Sequence, residues 1–304
     1  MRLNKTLKLA TKANIGEPMA DTMRAFRITE WGSAPQMVEV AKPIPGPSQV
    51  LIKTAGNGLC HSDIQIISES HNLGPHMGWN EQFTLGHEVS GWVDSWGDGV
   101  QGLEEGIAVA VVSPTSCGKC EMCDSGHDNV CDKNFKGKGF GADGGLADYM
   151  LVNDTRMLIP IGKMDPTTAG PLTDAGATSY HGVSRLLPKL RAGSTAVVIG
   201  AGGLGSFAIQ YIKILTKANL IVADIDDDKL ANAQTLGADH CINSSRVDLQ
   251  TEVNKLTEGK GAVAVLDFVG SDDTITAGVS MLGRLGSLGV VGAEGGRCKI
   301  PLGS

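Results

Sequence analysis

Three groups of residues in this sequence are of types that hold metals or phosphates. The first is Cys117-x2-Cys120-x2-Cys123-x7-Cys131, four thiols within fifteen residues. One short loop can wrap four thiolates around a tetrahedral zinc, and such a closed set pins a loop and does no chemistry. The second group is dispersed: Cys60 stands in Gly58-Leu59-Cys60-His61-Ser62-Asp63, and His87 in Leu85-Gly86-His87-Glu88. A thiol and an imidazole are zinc ligands, yet their spacing alone does not separate that reading from a packed cysteine and a solvated histidine. A third ligand is needed, and Asp174 lies where two textures of the chain meet. The third group is Gly200-Ala201-Gly202-Gly203-Leu204-Gly205, a G-x-G-x-x-G run. Its first glycine permits a tight turn, the second lets the backbone approach a pyrophosphate, and the third allows close helix–strand packing. The N–H groups and dipole at the start of the following helix favour phosphate.

Elements able to position these groups follow from the hydrophobic pattern. Between Arg24 and Ile161 short β-type runs alternate with Gly, Pro and Asn; examples are Gln49–Thr54, Val89–Val93, Ile107–Val112 and Asp148–Val152. This portion reads as irregular all-β, with His71 and His76 on a loop. After Gly170-Pro171 the pattern changes. A helix is expected over Leu172–Leu187, a strand over Thr195–Ile199, and a helix from Leu204 to Thr216. The strand Leu220–Ala223 and the helix Asp227–Leu236 follow, then strands near Asp239–Ile242, Val263–Phe268 and Gly286–Val291. Alternating strands and helices predict an α/β, doubly wound parallel sheet. The glycine run sits between a strand and a helix, the context a dinucleotide turn requires. Asp224 ends the next strand, placed to accept both ribose hydroxyls of NAD and to repel the 2′-phosphate of NADP. Asp226, Asp227 and Asp228 suit a helix N-terminus.

Composition narrows the function classes. The 304 residues fit two domains, and a formal net charge of −7 argues against a broad nucleic-acid face. No run of about 18 apolar residues is present, so no membrane span is expected. Residues 1–22 begin with a basic, acid-free stretch and read as an N-terminal extension; the location expected is cytoplasmic. Cys241 and Cys298 read as packed or free thiols, and His181 as packing on the first helix of the second half.

The Gly58–Asp63 segment, Gly86-His87-Glu88, the four cysteines, Asp174–Thr178 and the Gly200–Gly205 turn occur in one order. In this the chain resembles the zinc-dependent medium-chain dehydrogenase/reductase family, and within it alcohol dehydrogenases, most of all bacterial secondary-alcohol enzymes. The resemblance covers about residues 23–304. It implies a GroES-like catalytic domain over 23–171, carrying a structural zinc lobe at 117–131, and a Rossmann NAD-binding domain over 172–304. The resemblance also implies two zinc ions per chain. Cys117, Cys120, Cys123 and Cys131 hold the structural one. Cys60, His87 and Asp174 hold the catalytic one, with Glu88 just behind it, either outside the ligand set or exchanging into it. Asp63 fixes the His87 tautomer, Ser62 touches the substrate oxygen and relays its proton, and His61 approaches the cofactor pyrophosphate. Thr178 and Leu204 line the nicotinamide, beside Gly200, Gly202, Gly203, Gly205 and Asp224 as cofactor-binding positions.

The implied reaction is reversible hydride transfer between a small alcohol or ketone and NAD. A polyol or aldehyde substrate, or a non-catalytic product that binds nucleotide and zinc, are the alternatives. Two departures stand out. Gln65 occupies the place where many relatives carry a relay histidine. The sheet shows five strand candidates where a dinucleotide fold has six, so the expectation is a chain truncated at its C-terminus. Relatives are homo-dimers or homo-tetramers, and the partner expected is a small alcohol or ketone.

Overall fold

The computed structural model describes residues 21–133 and 136–297. The expected extension lies almost wholly outside the described residues, as does Cys298. The first half contains strands β1 (Thr22–Ile28), β2 (Gln36–Ala41) and β3 (Val50–Gly58), then helix α1 (His61–Met77). Strands β4 (Phe83–Thr84), β5 (Glu88–Trp96) and β6 (Ala108–Val111) follow, then the short helix α2 (Glu121–Asp124). Strands β7 (Gly137–Lys138), β8 (Gly141–Ala142), β9 (Tyr149–Val152) and β10 (Leu158–Pro160) complete this half. Its main sheet is antiparallel in the order β10-β6-β5-β3-β9, and a smaller one runs β2-β1-β4. Alternating residues of the main sheet, including Val50, Ile52, Val89, Val109, Val111 and Met150, fill one core. Period-two patterning puts them on one face.

The second half opens with a 3-10 turn over Gly170–Thr173 and helix α3 (Ala175–Leu186). The sequence predicts one unbroken helix here. It breaks at Asp174, whose backbone (φ −124°, ψ −75°) leaves the helical region and turns the side chain out of the helix line. Next come β11 (Thr195–Ile199), α4 (Gly203–Leu215), β12 (Asn219–Asp224), α5 (Asp227–Thr235) and β13 (His240–Asn243). The remainder is α6 (Leu249–Leu256), β14 (Ala262–Asp267), α7 (Asp272–Ser280) and β15 (Leu282–Val290). All five strands are parallel in the order β13-β12-β11-β14-β15. The first strand lies central and the chain winds outward on both sides, which opens a crevice between β11 and β14 at the strands' carboxyl ends. One core lies between the sheet and α3 and α4, and another between the sheet and α6 and α7.

Two expectations need correction. His71 and His76 lie on helix α1, not on a loop. The segment is rich in Ser, His, Asn and Gly, residues of modest helix propensity, so its pattern reads as irregular. Tertiary contacts hold it: Ile66, Ser70 and Gly74 are buried, and a β-carbon at Gly74 would fall 2.9 Å from the Trp31 ring. His181 is exposed on α3 and does not serve as packing. Helices α6 and α7, absent from the sequence reading, are both capped: Asp248 accepts from Thr251 N, and Ser271 from Thr274 N.

Candidate active site

The N-terminus of α1 brings the first ligands together. The backbone N–H of Cys60 donates to Asp63 Oδ2 (3.0 Å), while Asp63 Oδ1 faces His87 Nδ1 at 3.2 Å. Asp63 thus closes the first turn of a helix and braces the imidazole of another element at once. His87 begins the approach to β5, where it is 1% exposed. Its Nε2 lies 3.2 Å from Asp174 Oδ2. Asp174 is steadied by Thr178, whose Oγ1 donates to Oδ1 at 3.1 Å. Cys60, His87, Glu88 and Asp174 each present a ligand atom, all within 4.8 Å of one another.

These donors fit a zinc ion. Both ring nitrogens of His87 are buried, and neither makes an aligned hydrogen bond, although a carboxylate oxygen stands 3.2 Å from each. Buried polar atoms in that condition are costly unless something else satisfies them. Burial works against a charged imidazole, but Asp174, Asp63 and Cys60 outweigh it and push the His87 pKa up to about 11. Two carboxylates and a thiol gathered round one imidazole are the donor chemistry of a metal site. Burial, and then the charge of Asp174, push the Glu88 carboxyl up from the usual range, while the Ala175 N–H works the other way. The Glu88 side chain fills the space in front of Gly58, where any β-carbon would collide with its carboxylate. The Phe140 ring packs against His87 with centroids 4.5 Å apart, a contact with no signal in the sequence.

The four-cysteine lobe emerges between β6 and β7, and its base is closed by a bridge between Pro114 and Gly137 flanked by hydrogen bonds from Lys138 N to the Ser113 carbonyl and from Thr115 Oγ1 to the Lys136 carbonyl. Cys117, Cys120, Cys123 and Cys131 also converge within 4.8 Å. Backbone N–H groups of Cys117 and Lys133 donate to Cys131 Sγ (3.3 and 3.4 Å) and hold that thiol down to about 6. Burial pushes Cys123 up to about 11. Arg156, from the β9–β10 connection, spans the lobe: its Nη2 donates to Ser116 Oγ (2.5 Å) and Asp128 Oδ1 (3.1 Å).

At the β11–α4 turn, any β-carbon at Gly205 would strike the Gly200 carbonyl, so helix and strand approach only because glycine is there. Gly202 and Gly203, by contrast, face open space, a cradle shaped for a group that approaches the backbone. Asp224 Oδ2 accepts from Ala201 N (2.7 Å), and Oδ1 from the N–H groups of Ile225 and Asp226. The carboxylate therefore shapes the glycine turn as well as lining the crevice. Asp226 caps α5, accepting from Asp228 N and Lys229 N.

A cleft of about 540 Å³ joins the two halves. Cys60, His61, Ser62, Glu88, Asp174 and Thr178 line one side; Gly200, Gly202, Gly203, Leu204 and Gly205 line the other. Cys60 Sγ and Ser62 Oγ are 3.6 Å apart. An adjoining cavity of about 1130 Å³ shares Gly200, Asp224, Val269 and Glu294 with it and extends toward Ile225 and Asp248. Lys229, Phe207, Val269 and Ala293 also line the cleft, and sequence reading did not single them out. Only Lys229 had a usable signal, a cation just past Asp224.

Comparison with known proteins adds to this geometry. The family described as "Alcohol dehydrogenase GroES-like domain" matches residues 46–163, and "Zinc-binding dehydrogenase" matches 203–304. An NAD-dependent alcohol dehydrogenase of Sulfurisphaera tokodaii is 36% identical over 281 residues, covering 91% of this chain and 80% of that protein. The crystal structure of the alcohol dehydrogenase from Aeropyrum pernix superposes with a TM-score of 0.84 at 33% identity, covering 91% of this chain and 80% of that one. The D-arabinose dehydrogenase of Sulfolobus solfataricus gives 0.83 at 28% identity, covering 93% and 84%.

Proposed function

Because this chain belongs to the zinc-binding alcohol dehydrogenases of the medium-chain dehydrogenase/reductase family, we propose that its cleft oxidises small secondary alcohols and reduces the matching ketones with NAD. The protein is an NAD-dependent oxidoreductase acting on alcohols, with zinc as its metal. Among the described residues no helix is long and apolar enough to cross a membrane.

One observation carries the reading: the Cys60, His87, Glu88 and Asp174 donors converge within 4.8 Å, and Cys60, Glu88 and Asp174 line a cleft that the Gly202-Gly203 cradle also lines. A bound zinc would supply Lewis-acid polarisation of the alcohol oxygen, and a bound NAD the hydride acceptor. Cys60, His87 and Asp174 would hold the metal, one thiolate and one carboxylate balancing its charge. Glu88 is the exchanging carboxylate. Asp63 keeps the proton on His87 Nδ1, leaving Nε2 free to ligate. Ser62 Oγ accepts the hydroxyl proton of the alcohol as its own proton passes outward, either by a ribose hydroxyl and water or through His61, since the Gln65 amide is neither acid nor base. Thr178 and Leu204 would line the nicotinamide, the Gly200–Gly205 turn would receive the pyrophosphate, and Asp224 would select the ribose of NAD over that of NADP. The halves 23–171 and 172–304 act as catalytic and nucleotide-binding domains, in a cytoplasmic homo-dimer or homo-tetramer.

NADH formation from NAD and 2-propanol, abolished by a zinc chelator, is the expected result. Folded, zinc-loaded protein that forms no NADH would sink the assignment to secondary alcohols. The likeness to D-arabinose dehydrogenase favours a sugar as the second reading; a higher kcat/KM on D-arabinose than on 2-propanol would establish it.

A further inference from the structure

Among the described residues, polar connections cross the cleft between its halves at two places. One is the buried ligand cluster at the floor, where Asp174 meets His87. The other lies at the exposed mouth. Gln65 stands one helical turn after Ser62 on α1, and its Nε2 donates to the carbonyl oxygen of Ala293, 228 residues away, at 3.3 Å. Gln65 and Ala293 both line the cleft, together with the glycine turn on the far wall. Ala293 sits in the loop after β15. That loop is anchored from behind, because the N–H groups of Val291 and Gly292 donate to the Asp267 carbonyl. Asp267 is fully buried, and its Oδ1 accepts from Val269 N and Gly270 N. The loop end of the bridge is therefore held by the sheet, and the other end by a seventeen-residue helix.

We propose that Gln65 is a positioning residue that latches the cleft mouth over the nicotinamide end of the cofactor and thereby governs how fast NAD and NADH exchange. This rests on the function proposed above. Gln65, Ala293 and the glycine turn line one cleft, so a dinucleotide seated on the turn would share the cleft mouth with the bridge, and on this proposal its entry and departure both require the amide to let go. The bond forms again whether the cleft is filled or empty. A latch of this kind raises the barrier in both directions and leaves the equilibrium nearly untouched. A residue that gripped the cofactor would instead slow release alone. The amide carries no charge at any working pH, so the latch adds no titration of its own to the exchange rates.

The test is Gln65→Met, which keeps length and helix propensity and removes the donor, compared with Gln65→Glu, which keeps the shape and turns a donor toward an acceptor into two acceptors. Stopped-flow fluorescence of NADH gives association and dissociation rates. In Gln65→Met both rates are expected to rise by about threefold to tenfold, as loss of one net hydrogen bond allows, with Kd changed less than about twofold. In Gln65→Glu dissociation rises likewise, while the new negative charge beside an anionic cofactor holds association back. Dissociation rising alone in Gln65→Met, or neither rate moving there, would overturn the latch. Hydrogen exchange of the ligand-free full chain provides the second arm: Gln65→Met should speed exchange in residues 291–297 and leave β11 and β12 unchanged. Unchanged exchange in 291–297 refutes the latch. Failure of the wild-type chain to bind NADH refutes the function, and the exchange arm still decides the bridge.

Discussion

The two ligand clusters of this molecule bring four donors into the same small volume by opposite routes. The cysteine lobe draws all its candidate ligands from one loop of fifteen residues, tied at its base by a bridge and the hydrogen bonds beside it. The other cluster draws Cys60 from the N-terminus of α1, His87 and Glu88 from the start of β5, and Asp174 from a helix break more than eighty residues further on. The local set is all thiol and closed. The dispersed set mixes thiol, imidazole and carboxylate and opens on a cleft. Closure by a loop gives a staple, whereas convergence of separate elements gives a site whose geometry depends on the whole fold.

The contrast breaks most sharply under His87→Ala or Cys60→Ala. Loss of several kcal/mol of charge stabilisation predicts turnover down by ~1000-fold or more. Metal analysis should still find one zinc per chain; a count of zero would show that the two clusters are not independent. The reciprocal change, Cys120→Ser or Cys131→Ser, should lower the thermal midpoint by about 5 °C or more while a folded fraction at 25 °C keeps most of its kcat. Calorimetry and steady-state kinetics on one preparation measure both, and a collapse of kcat with Tm unmoved would reverse the assignment. Next in size is Asp63→Ala, which leaves every ligand in place but frees the His87 ring. A fall of about 10–100-fold in zinc affinity or activity is expected, read by titration with a competing chelator. Arg156→Ala should have the smallest effect. It removes a half-exposed clamp on the lobe, so zinc loss to a chelator should quicken by roughly twofold to fivefold, as an exposed ion-pair network allows.

Legibility in the sequence follows the same division. The lobe could be read from spacing, because its ligands are neighbours in the chain as they are in space. The parallel sheet and glycine turn were legible because strand, turn and helix succeed one another locally. The dispersed ligands were not: nothing about Cys60 or His87 taken alone distinguishes a ligand, and their grouping came from resemblance to a family. Helix α1 was missed because Trp31 and the buried Ile66 face hold it, not its own propensities. The break at Asp174 escaped for a similar reason. A pattern of apolar residues running from Leu172 to Leu187 does not record the one backbone step that turns a carboxylate toward His87. Phe140 and Ala293 reach the site through tertiary packing alone.

The bridge between Pro114 and Gly137 has a consequence for inheritance. Because the two strands already touch where the lobe departs, a single in-frame deletion could excise the lobe and leave a short hairpin behind. A lineage can therefore gain or shed this module in one genetic event. The converging site offers no such shortcut, since its ligands sit in three separate stretches of the gene and each must be kept on its own.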